Sequence, residues 1–408
     1  MAKDHIVILG LGMQGKATLY DLYHNTDIPE IIVADNSKDL KSVVDGYPAE
    51  RVVGRSIDAS RESDLTAVMR NAVMVVEALP PQFALPVGRL AARLGVNLVS
   101  SMYYINPAER HPTRVAAMKE ELKHLNSEAK EKGITILPEF GLDPGIDLIL
   151  GARALNELDD VHEFHSYGAG LPVLEAAENP LKYKFSWSVT GVMRAYKRPA
   201  WVIRQGRVVE IPGDEIFTPE QRHSLDVEEF GVPLECYPNG NSAYYAEAFR
   251  LMGTVKEMGR YACRYPGHCA FWEIMAKSGF LDEESIRVGD VEVSPIAFTS
   301  SLLGSQAQFQ FTAEEQDIVM VRVDMRGNRE GKKKRIVYQL IDRRDVETGF
   351  TAMQRTVGFT MGLGARLILD GRLSRTGLVS PMDVSFDEVV QGLEQYGIHI
   401  TRQELPWN

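Results

Sequence analysis

The sequence is poor in the features that mark secreted, membrane-spanning or nucleic-acid-binding proteins. It has only 3 cysteines in 408 residues, Cys236, Cys263 and Cys269, and they lack CxxC spacing. Their odd number and spacing exclude a disulfide framework and favour reduced thiols over a metal site. No apolar run reaches the roughly 18 residues of a membrane span. The net charge of −11 argues against nucleic acid and anionic membrane as partners.

The N-terminus also lacks the apolar stretch of a signal peptide. Charges at Lys3 and Asp4 are followed only by the short apolar run 6–9 before a glycine. We therefore expect a cytoplasmic protein. The sequence is long enough for two domains, each with its own core.

The most informative segment is a glycine-rich turn near the start of the sequence. An apolar run, residues 5–9, predicts a buried parallel strand, and Gly10-Leu11-Gly12-Met13-Gln14-Gly15 follows at once in the GxGxxG pattern. Gly10 allows the tight turn, Gly12 lets the backbone approach a pyrophosphate at the helix N-terminus, and Gly15 lets helix and strand pack closely. The pattern predicts a dinucleotide-binding domain. The alternative is an α/β domain with a glycine-rich turn and no nucleotide.

An acidic residue at the end of the second strand indicates which dinucleotide binds. The apolar run 31–34 ends in Asp35, about 20 residues after the last glycine, as the fingerprint requires. There a carboxylate accepts hydrogen bonds from the ribose hydroxyls and repels a 2′-phosphate. We expect NAD in preference to NADP, although Asn36, Ser37 and Lys38 would soften the discrimination.

Strands and helices alternate through residue 150, which predicts a doubly wound parallel sheet of the Rossmann type. Ligands bind such sheets at the carboxyl ends of the strands, so the predicted cofactor residues follow from position. Asp58 would bond to the adenine amino group or cap a helix, and Ala78 and Leu79 would wall the nicotinamide ribose. The predicted cofactor site comprises Gly10, Gly12, Met13, Gln14, Gly15, Asp35, Asp58, Ala78, Leu79 and Pro80.

After residue 150 the pattern becomes rich in strands, including a hairpin predicted over 318–341, and it turns helical again from Thr351. This predicts an α/β fold with three parts: a dinucleotide-binding domain at 1–150, an α+β substrate and dimerisation domain at 151–350, and a helical segment at 351–408 that packs back on the first domain. Gly358, Gly362 and Ala365 are spaced so that one face of the last long helix can pack closely.

Several segments resemble the saccharopine dehydrogenase family of the glutamate-forming type. Residues 140–147 (FGLDPGID) resemble its GLDPGID motif, and residues 166–172 (SYGAGLP) its SYCGGLP segment. Residues 179–187 (NPLKYKFSW) are similar to NPLGYKFSW, and residues 237–242 (YPNGNS) to YPNRDS. The related L-lysine 6-dehydrogenases are similar as well, through residues 198–207 (RPAWVIRQGR) and the YPGH segment at 265–268.

The resemblance implies a homodimeric enzyme that oxidises a C–N bond at the end of a lysine side chain. In saccharopine that bond joins the side-chain nitrogen of lysine to the carbon that precedes it. Hydride transfer to the nicotinamide and hydrolysis of the imine give aminoadipate semialdehyde and L-glutamate. The alternatives are an L-lysine 6-dehydrogenase that releases ammonia, an imine reductase that works in the reductive direction, and an NAD-binding redox sensor without chemistry.

The resemblance also implies catalytic and substrate-binding residues. The candidate proton-handling residues are Tyr104, Asp143, Lys182, Lys184 and His268, of which Tyr104, Asp143 and Lys184 are the predicted catalytic residues. For His268, beside an apolar run, a structural role is favoured. The structural alternatives are core packing for Tyr104 and helix capping for Asp143. We expect Lys182 and Lys184 to point the same way, and their structural alternative is to coat a strand. The predicted substrate-binding set is Ser101, Tyr104, Asp143, Gly168, Ala169, Lys184, Asn239 and Asn241, and no metal is expected.

Two family arginines are missing, at positions occupied here by Thr190 and Gly240. Arginine binds carboxylates bidentately, so their loss weakens the expectation of saccharopine with its three carboxylates. Arg194, Lys197 and Arg198 are the candidate substitutes.

Overall fold

The computed structural model describes residues 5–109 and 111–407, so Lys3 and Asp4 lie outside the described residues. The strands in order along the sequence are β1 (His5–Leu9), β2 (Glu30–Asp35), β3 (Val52–Ser56), β4 (Ala72–Glu77), β5 (Asn97–Ser100), β6 (Thr135–Leu137), β7 (Asp160–Pro172), β8 (Ala200–Arg204), β9 (Arg207–Ile211), β10 (His223–Leu225), β11 (Leu234–Pro238), β12 (Glu257–Arg264), β13 (Ile286–Val288), β14 (Val291–Val293), β15 (Asp317–Arg329), β16 (Lys332–Arg343), β17 (Gly377–Leu378) and β18 (His399–Leu405).

The α-helices in the same order are α1 (Met13–Asn25), α2 (Leu40–Val44), α3 (Glu62–Met69), α4 (Ala84–Leu94), α5 (Pro112–Glu131), α6 (Ile146–Leu155), α7 (Val189–Ala195), α8 (Ser242–Ala248), α9 (His268–Lys277), α10 (Pro295–Gly304), α11 (Ala352–Gln354), α12 (Thr360–Leu369) and α13 (Phe386–Glu394). A π-helical turn, Arg355–Phe359, lies between α11 and α12.

The protein divides into two compact units. The first unit comprises the sequence up to Ile149 together with Gln354–Ile398, and the second comprises Leu150–Met353 and the residues from His399 onward. The helices after Gln354 therefore return to the first unit, as the sequence predicts.

The first unit is built on a seven-stranded sheet in the order β17-β6-β5-β4-β1-β2-β3. Every pairing in it is parallel. Strands β1 and β4 are apolar over almost their whole length because helices cover both faces of the sheet. The order 3-2-1-4-5-6 is that of the doubly wound dinucleotide-binding fold, so this prediction is confirmed.

The returning helices close the first unit by packing tightly on α1. A Cβ at Gly358 would lie 2.5 Å from the Cβ of Ala17, and one at Gly362 would lie 2.0 Å from Oδ2 of Asp21. Thr18 also donates a 3.0 Å hydrogen bond to the carbonyl of Gly358. The predicted small-residue face is thus confirmed at these two positions.

The second unit is built on a nine-stranded mixed sheet. Its main path is β10-β11-β12-β7-β15-β16-β18, with β8 and β9 attached beside β12. The predicted hairpin is confirmed: β15 pairs with β16 from Ile318 to Arg329, and Glu330 and Gly331 form the turn with positive φ. The aromatic-rich core of this unit lies on the sheet and includes Tyr183, Tyr196 and Trp272.

The C-terminal segment differs from the prediction. The part expected to be helical at 351–408 finishes in β18, which pairs antiparallel with β16 in the second unit. Its alternate residues are mostly exposed, so the apolar alternation that would have indicated a strand is weak here.

Candidate functional site

The glycine-rich turn has the geometry that a dinucleotide requires. Gly10 has φ of +94°, and a Cβ there would lie 2.6 Å from the carbonyl oxygen of Ala78. A Cβ on Gly15 would lie 2.0 Å from the carbonyl oxygen of Gly10. Gly12 differs, because a Cβ built on it meets no atom within 4 Å. Gly10 and Gly15 are thus needed by the fold, whereas Gly12 leaves open space before the N-terminus of α1, which suits a pyrophosphate.

The first helical residues after this turn remain accessible. Met13 begins α1 and is 40% exposed. Gln14 is half-buried, and its Oε1 atom is buried without a hydrogen-bond partner among the described residues. Their contact with a cofactor stays a prediction.

Asp35 ties the end of β2 to the glycine-rich turn. Its Oδ2 accepts a 2.6 Å hydrogen bond from the N–H of Leu11, and its Oδ1 accepts a 2.5 Å bond from the N–H of Ser37. The carboxylate is therefore held beside the turn with lone pairs left for further donors. This arrangement suits the ribose role that the sequence predicts.

Asp58 lies on an exposed turn after β3. Its Oδ1 accepts hydrogen bonds from the N–H and the hydroxyl of Ser60, at 3.0 and 2.6 Å. These bonds lower the pKa of Asp58. Because α3 starts only at Glu62, Asp58 stabilises the turn before the helix and is not its N-cap. The adenine contact stays a prediction.

The turn after β4 contains a buried acid that sequence reasoning missed. Glu77 is the last residue of β4 and is 0% exposed. Its Oε1 accepts from the N–H of Leu79 at 2.9 Å, and its Oε2 accepts from the hydroxyl of Ser100 at 2.5 Å. Burial raises its pKa to about 7 against the lowering by these two bonds. The sequence signal that could have found Glu77 is an acidic residue directly after the apolar run 72–76.

Tyr104 lies in the core of the first unit. It is 5% exposed and belongs to the same apolar cluster as Val87 and Leu90 of α4. A Cβ on Gly88 would lie 2.6 Å from its hydroxyl, which has no hydrogen-bond partner among the described residues. Burial, and then the charge of Glu77, raise its pKa well above the ordinary value. This placement favours the packing role over proton handling.

The GLDPGID segment forms a tight turn at the start of α6. Gly145 has φ of +139°, and a Cβ there would lie 2.2 Å from the carbonyl oxygen of Gly141. Ser101 packs on the same turn, since a Cβ on Gly141 would lie 2.9 Å from its Cβ. Asp147, in the first turn of α6, accepts a 2.8 Å hydrogen bond from the N–H of Gly145. Asp143 itself is exposed on this turn.

In the second unit, Gly168 and Ala169 point to opposite faces of the sheet because they are consecutive in β7. Ala169 is 5% exposed and lies in the aromatic core. Gly168 pairs with Val321 of β15, on the face where a Cβ on Gly170 would approach Met353 at 2.8 Å and Ser186 at 3.9 Å. Side chains at positions 168 and 169 therefore do not line one pocket together.

Lys184 lies in a cavity of about 790 Å³ within the second unit. Its ammonium group forms an ion pair with Glu315, and Glu175, Glu178 and Glu314 also line the cavity. The expectation that Lys182 points the same way is wrong. Lys182 has φ of +47° in a turn and is exposed, whereas Lys184 is 6% exposed.

A buried group of polar side chains lies beside the aromatic core. The Nε of Arg264 donates to the hydroxyl of Tyr196 at 3.2 Å, and His268 lies 2.9 Å from the same hydroxyl through Nε2. Burial, and then the charge of Arg264, lower the pKa of His268 well below its ordinary value. His268 is thus a buried structural histidine.

The described residues contain neither a metal-binding cluster nor a membrane span. Across 5–109 and 111–407, no three His, Cys, Asp or Glu side chains are grouped to hold a metal ion. Within the same ranges, every helix is too short or too polar to span a bilayer. The three cysteines are free and buried.

Comparison with known proteins decides the family. Residues 6–137 match the family model described as the saccharopine dehydrogenase NADP binding domain, and residues 141–398 match the one described as the saccharopine dehydrogenase C-terminal domain. The protein belongs to the saccharopine dehydrogenase family. The resemblance inferred from the motifs is thereby confirmed.

Two relatives in this family share about a quarter of their aligned residues with this protein. The saccharopine dehydrogenase (NADP(+), L-glutamate-forming) of Pyricularia oryzae is 25% identical, over 98% of this protein and 98% of its own length. The alpha-aminoadipic semialdehyde synthase of Arabidopsis thaliana is 24% identical over 93% of this protein, which spans only 41% of that synthase. The solved apo saccharopine dehydrogenase (L-Glu forming) of Saccharomyces cerevisiae shares the fold, with a TM-score of 0.80, 21% identity and coverage of 99% and 100%.

Two arginines from other positions lie near the loop that resembles YPNRDS, in which Gly240 stands at the position of the family's arginine. Gly240 has φ of +74°, and a Cβ there would lie 4.0 Å from Nη1 of Arg260. Arg260 is 8% exposed and lies over the ring of Tyr245 at 3.8 Å. Arg198 donates a 3.0 Å bond to Oδ1 of Asn239. Two guanidinium groups, neither of them at the family's arginine position, therefore border this loop.

The other residues near this loop are engaged elsewhere. Arg194 and Lys197 form ion pairs with Glu283 and Asp282, both at 2.9 Å, so the structure does not support them as substitutes. Asn241 caps α8 through its side-chain oxygen, which accepts a 3.1 Å bond from the N–H of Tyr244. Its role in substrate binding stays a prediction, and capping of α8 is its structural alternative.

Proposed function

We propose that this protein is a nicotinamide-dependent oxidoreductase that acts on saccharopine, oxidising the C–N bond of its lysine part to give aminoadipate semialdehyde and L-glutamate. The observation that carries the proposal is the glycine-rich turn, with open space at Gly12 and Asp35 held beside it, in a protein that matches the family over both domains. The nicotinamide ring, when bound, accepts the hydride.

The protein's own residues supply binding, orientation and proton handling. Gly12 and the N-terminus of α1 would hold the pyrophosphate, Asp35 the ribose, and Ala78 to Pro80 would border the nicotinamide end. An alkylammonium with a pKa near 10 must lose a proton before hydride can leave. Among the three predicted catalytic residues, only Asp143 is exposed, on the turn of 141–145, so we infer that Asp143 takes this proton. Lys184 has a carboxylate partner, and Tyr104 is buried.

Saccharopine presents three carboxylates, and each needs a cation or a backbone donor once water is removed. Arg198 and Arg260, which border the loop 239–241, would supply two guanidinium groups. This supports saccharopine over lysine, whose single carboxylate needs fewer partners. Substrate contacts by Ser101, Gly168, Asn239 and Asn241 belong to the same proposal.

The substrate prediction is that saccharopine, and not L-lysine, is turned over. Both compounds are assayed side by side with each nicotinamide cofactor, following absorbance of the reduced form and the release of glutamate or ammonia. We expect glutamate with saccharopine and at least about tenfold higher kcat/KM than with lysine, since each unpaired buried charge costs more than about 1.4 kcal/mol. Ammonia from lysine alone would instead indicate a lysine 6-dehydrogenase. Tight cofactor binding without any turnover would indicate a redox sensor.

A second prediction concerns the cofactor. The matching family model is described as NADP binding and the fungal relative carries NADP(+) in its name, whereas the carboxylate of Asp35 favours NAD by repelling a 2′-phosphate. We propose that this protein prefers NAD. The ratio of kcat/KM for NAD over NADP should exceed about 10 and should fall toward about 1 in Asp35→Ser, since one charge contact is worth about 1–3 kcal/mol. A wild-type preference for NADP would refute the role given to Asp35.

The homodimer and the cytoplasmic location that the sequence analysis expects stay predictions. Neither is needed for the proposed chemistry.

A further inference from the structure

Glu77 lies at the carboxyl end of β4, which is the middle strand of the seven-stranded sheet in the first unit. It is the last residue of β4, and its register partners are Leu9, which ends β1, and Ser100, which ends β5. The carboxyl ends of parallel strands form the ligand-binding edge of such a sheet. A fully buried carboxyl group therefore lies directly under the edge where the cofactor would bind.

The carboxyl group connects the two turns that leave this edge. One oxygen accepts from the N–H of Leu79 at 2.9 Å, in the turn after β4. The other accepts from the hydroxyl of Ser100 at 2.5 Å, and that hydroxyl accepts from the N–H of Met102 at 3.0 Å, in the turn after β5. This one carboxyl group thus fixes the first residues of both turns.

The turn after β4 is also in contact with the glycine-rich turn. The carbonyl oxygen of Ala78 lies where a Cβ on Gly10 would come within 2.6 Å, and the N–H of Ala78 donates to the carbonyl of Leu9 at 2.8 Å. A displacement of Ala78 and Leu79 would therefore displace the phosphate-binding backbone as well.

A buried acid at this place is unfavourable for the fold by itself. Among the described residues, Glu77 forms no ion pair, and burial raises its pKa to about 7. An apolar side chain of similar volume would avoid the desolvation cost. The acid instead fixes the positions of the two turns through its hydrogen bonds.

We propose that Glu77 is a positioning residue, which holds the Ala78–Pro80 turn against the glycine-rich turn and thereby sets the affinity for the nicotinamide dinucleotide. The proposal rests on the proposed function, because it requires that this edge binds the cofactor. It assigns Glu77 no contact with cofactor or substrate.

The test compares cofactor binding with stability in two variants of the full-length protein. Glu77→Leu removes the hydrogen bonds and the burial cost together. Glu77→Gln keeps an acceptor for the N–H of Leu79, and its amide NH2 can donate to the hydroxyl of Ser100, which reverses the direction of that bond. Dissociation constants for NADH and NADPH are measured by cofactor fluorescence, and stability by thermal unfolding. We expect Glu77→Leu to unfold at the wild-type temperature or above it and to bind about tenfold more weakly or worse. Glu77→Gln should stay within about threefold of wild type.

Matched variants complete the design. Thr135→Val removes a buried hydrogen bond at the start of β6, from its hydroxyl to the carbonyl of Arg375 at 2.6 Å. It should lower the unfolding temperature and leave both dissociation constants unchanged. If Glu77→Leu does not fold, Ser100→Ala removes one of the two bonds and should weaken binding about threefold.

The outcomes separate the two proposals. Wild-type affinity in folded Glu77→Leu or Ser100→Ala would overturn the positioning role, and so would a Glu77→Gln variant as weak as the leucine one. A wild-type protein that binds neither NADH nor NADPH would instead overturn the proposed function, and this inference with it.

Discussion

Replacement of Gly12 by valine is expected to weaken dinucleotide binding roughly 100-fold while the protein still folds. A Cβ on Gly12 meets no protein atom within 4 Å, so the fold has room for a side chain there. Its φ of −68° is also open to any residue. The space in front of Gly12 is where a pyrophosphate would approach the N-terminus of α1, so the valine methyl groups and the ligand compete for it.

Two other glycines provide the contrast for this prediction. Gly15→Ala places a Cβ 2.0 Å from the carbonyl oxygen of Gly10 and should impair folding itself. Gly304→Ala, at the end of α10, makes only an ordinary contact at 3.5 Å with Val189 and should change neither property. Fluorescence titration with NADH and thermal unfolding measure the two effects. Wild-type affinity in folded Gly12→Val would mean that no dinucleotide binds at this turn.

The sequence predicts the parts of this molecule whose signal is local. The apolar run of β1, the glycine spacing and the acid at the end of β2 lie within about thirty residues and indicate the dinucleotide-binding turn. The parallel sheet follows from the alternation of strands and helices through residue 150. The hairpin of β15 and β16 has the same character, since alternation and a glycine turn suffice to indicate it.

The candidate site is less predictable because its side chains depend on distant partners. Whether Tyr104 faces a ligand or the core depends on Gly88 of α4, where the absence of a Cβ makes room for the ring. Whether Lys184 is available for a substrate depends on Glu315, 131 residues later. Neither partner could be inferred from one sequence. The proton-handling roles of Tyr104 and Lys184 were therefore predicted from residue type alone.

Motif matching also has a physical limit where one residue replaces another in space. The loop 237–242 has Gly240 at the position of the family's arginine, yet Nη1 of Arg260 from β12 lies 4.0 Å from where a Cβ on Gly240 would be. A comparison of aligned positions records a lost charge, whereas the folded protein has a guanidinium beside this loop. Substrate preference therefore has to be argued from the arrangement in space.

The largest stability effect is expected at a buried ion pair between α1 and α12. Asp21 is 0% exposed, and its carboxylate lies 3.2 and 3.3 Å from nitrogens of Arg366 while also accepting from the hydroxyl of Tyr396. Arg366→Met leaves this carboxylate buried without its cation. We expect a loss of about 3–5 kcal/mol in the free energy of unfolding, measured in urea.

The double variant Asp21→Asn/Arg366→Met is the matched control. It removes both charges, so no uncompensated charge stays buried, and it should recover a large part of the loss. If Arg366→Met alone were as stable as wild type, the ion pair would not hold the returning helices on α1.

The pH dependence of stability gives this prediction a distinct signature. Burial, opposed by Arg366, raises the pKa of Asp21 from 3.8 to about 6, so the folded protein binds this proton more tightly than the unfolded state does. The contribution of Asp21 to the free energy of unfolding therefore decreases by about 3 kcal/mol as the pH rises from 3.8 to about 6, and it is constant above that range. Glu77, with a folded pKa of about 7, adds a decrease in the free energy of unfolding between pH 4.5 and about 7.

The difference in the free energy of unfolding between wild type and Asp21→Asn isolates the decrease that is due to Asp21. In Arg366→Met the decrease should continue above pH 6, because the cation that lowers the pKa of Asp21 is gone. An unchanged pH profile in that variant would show that Arg366 does not act on Asp21.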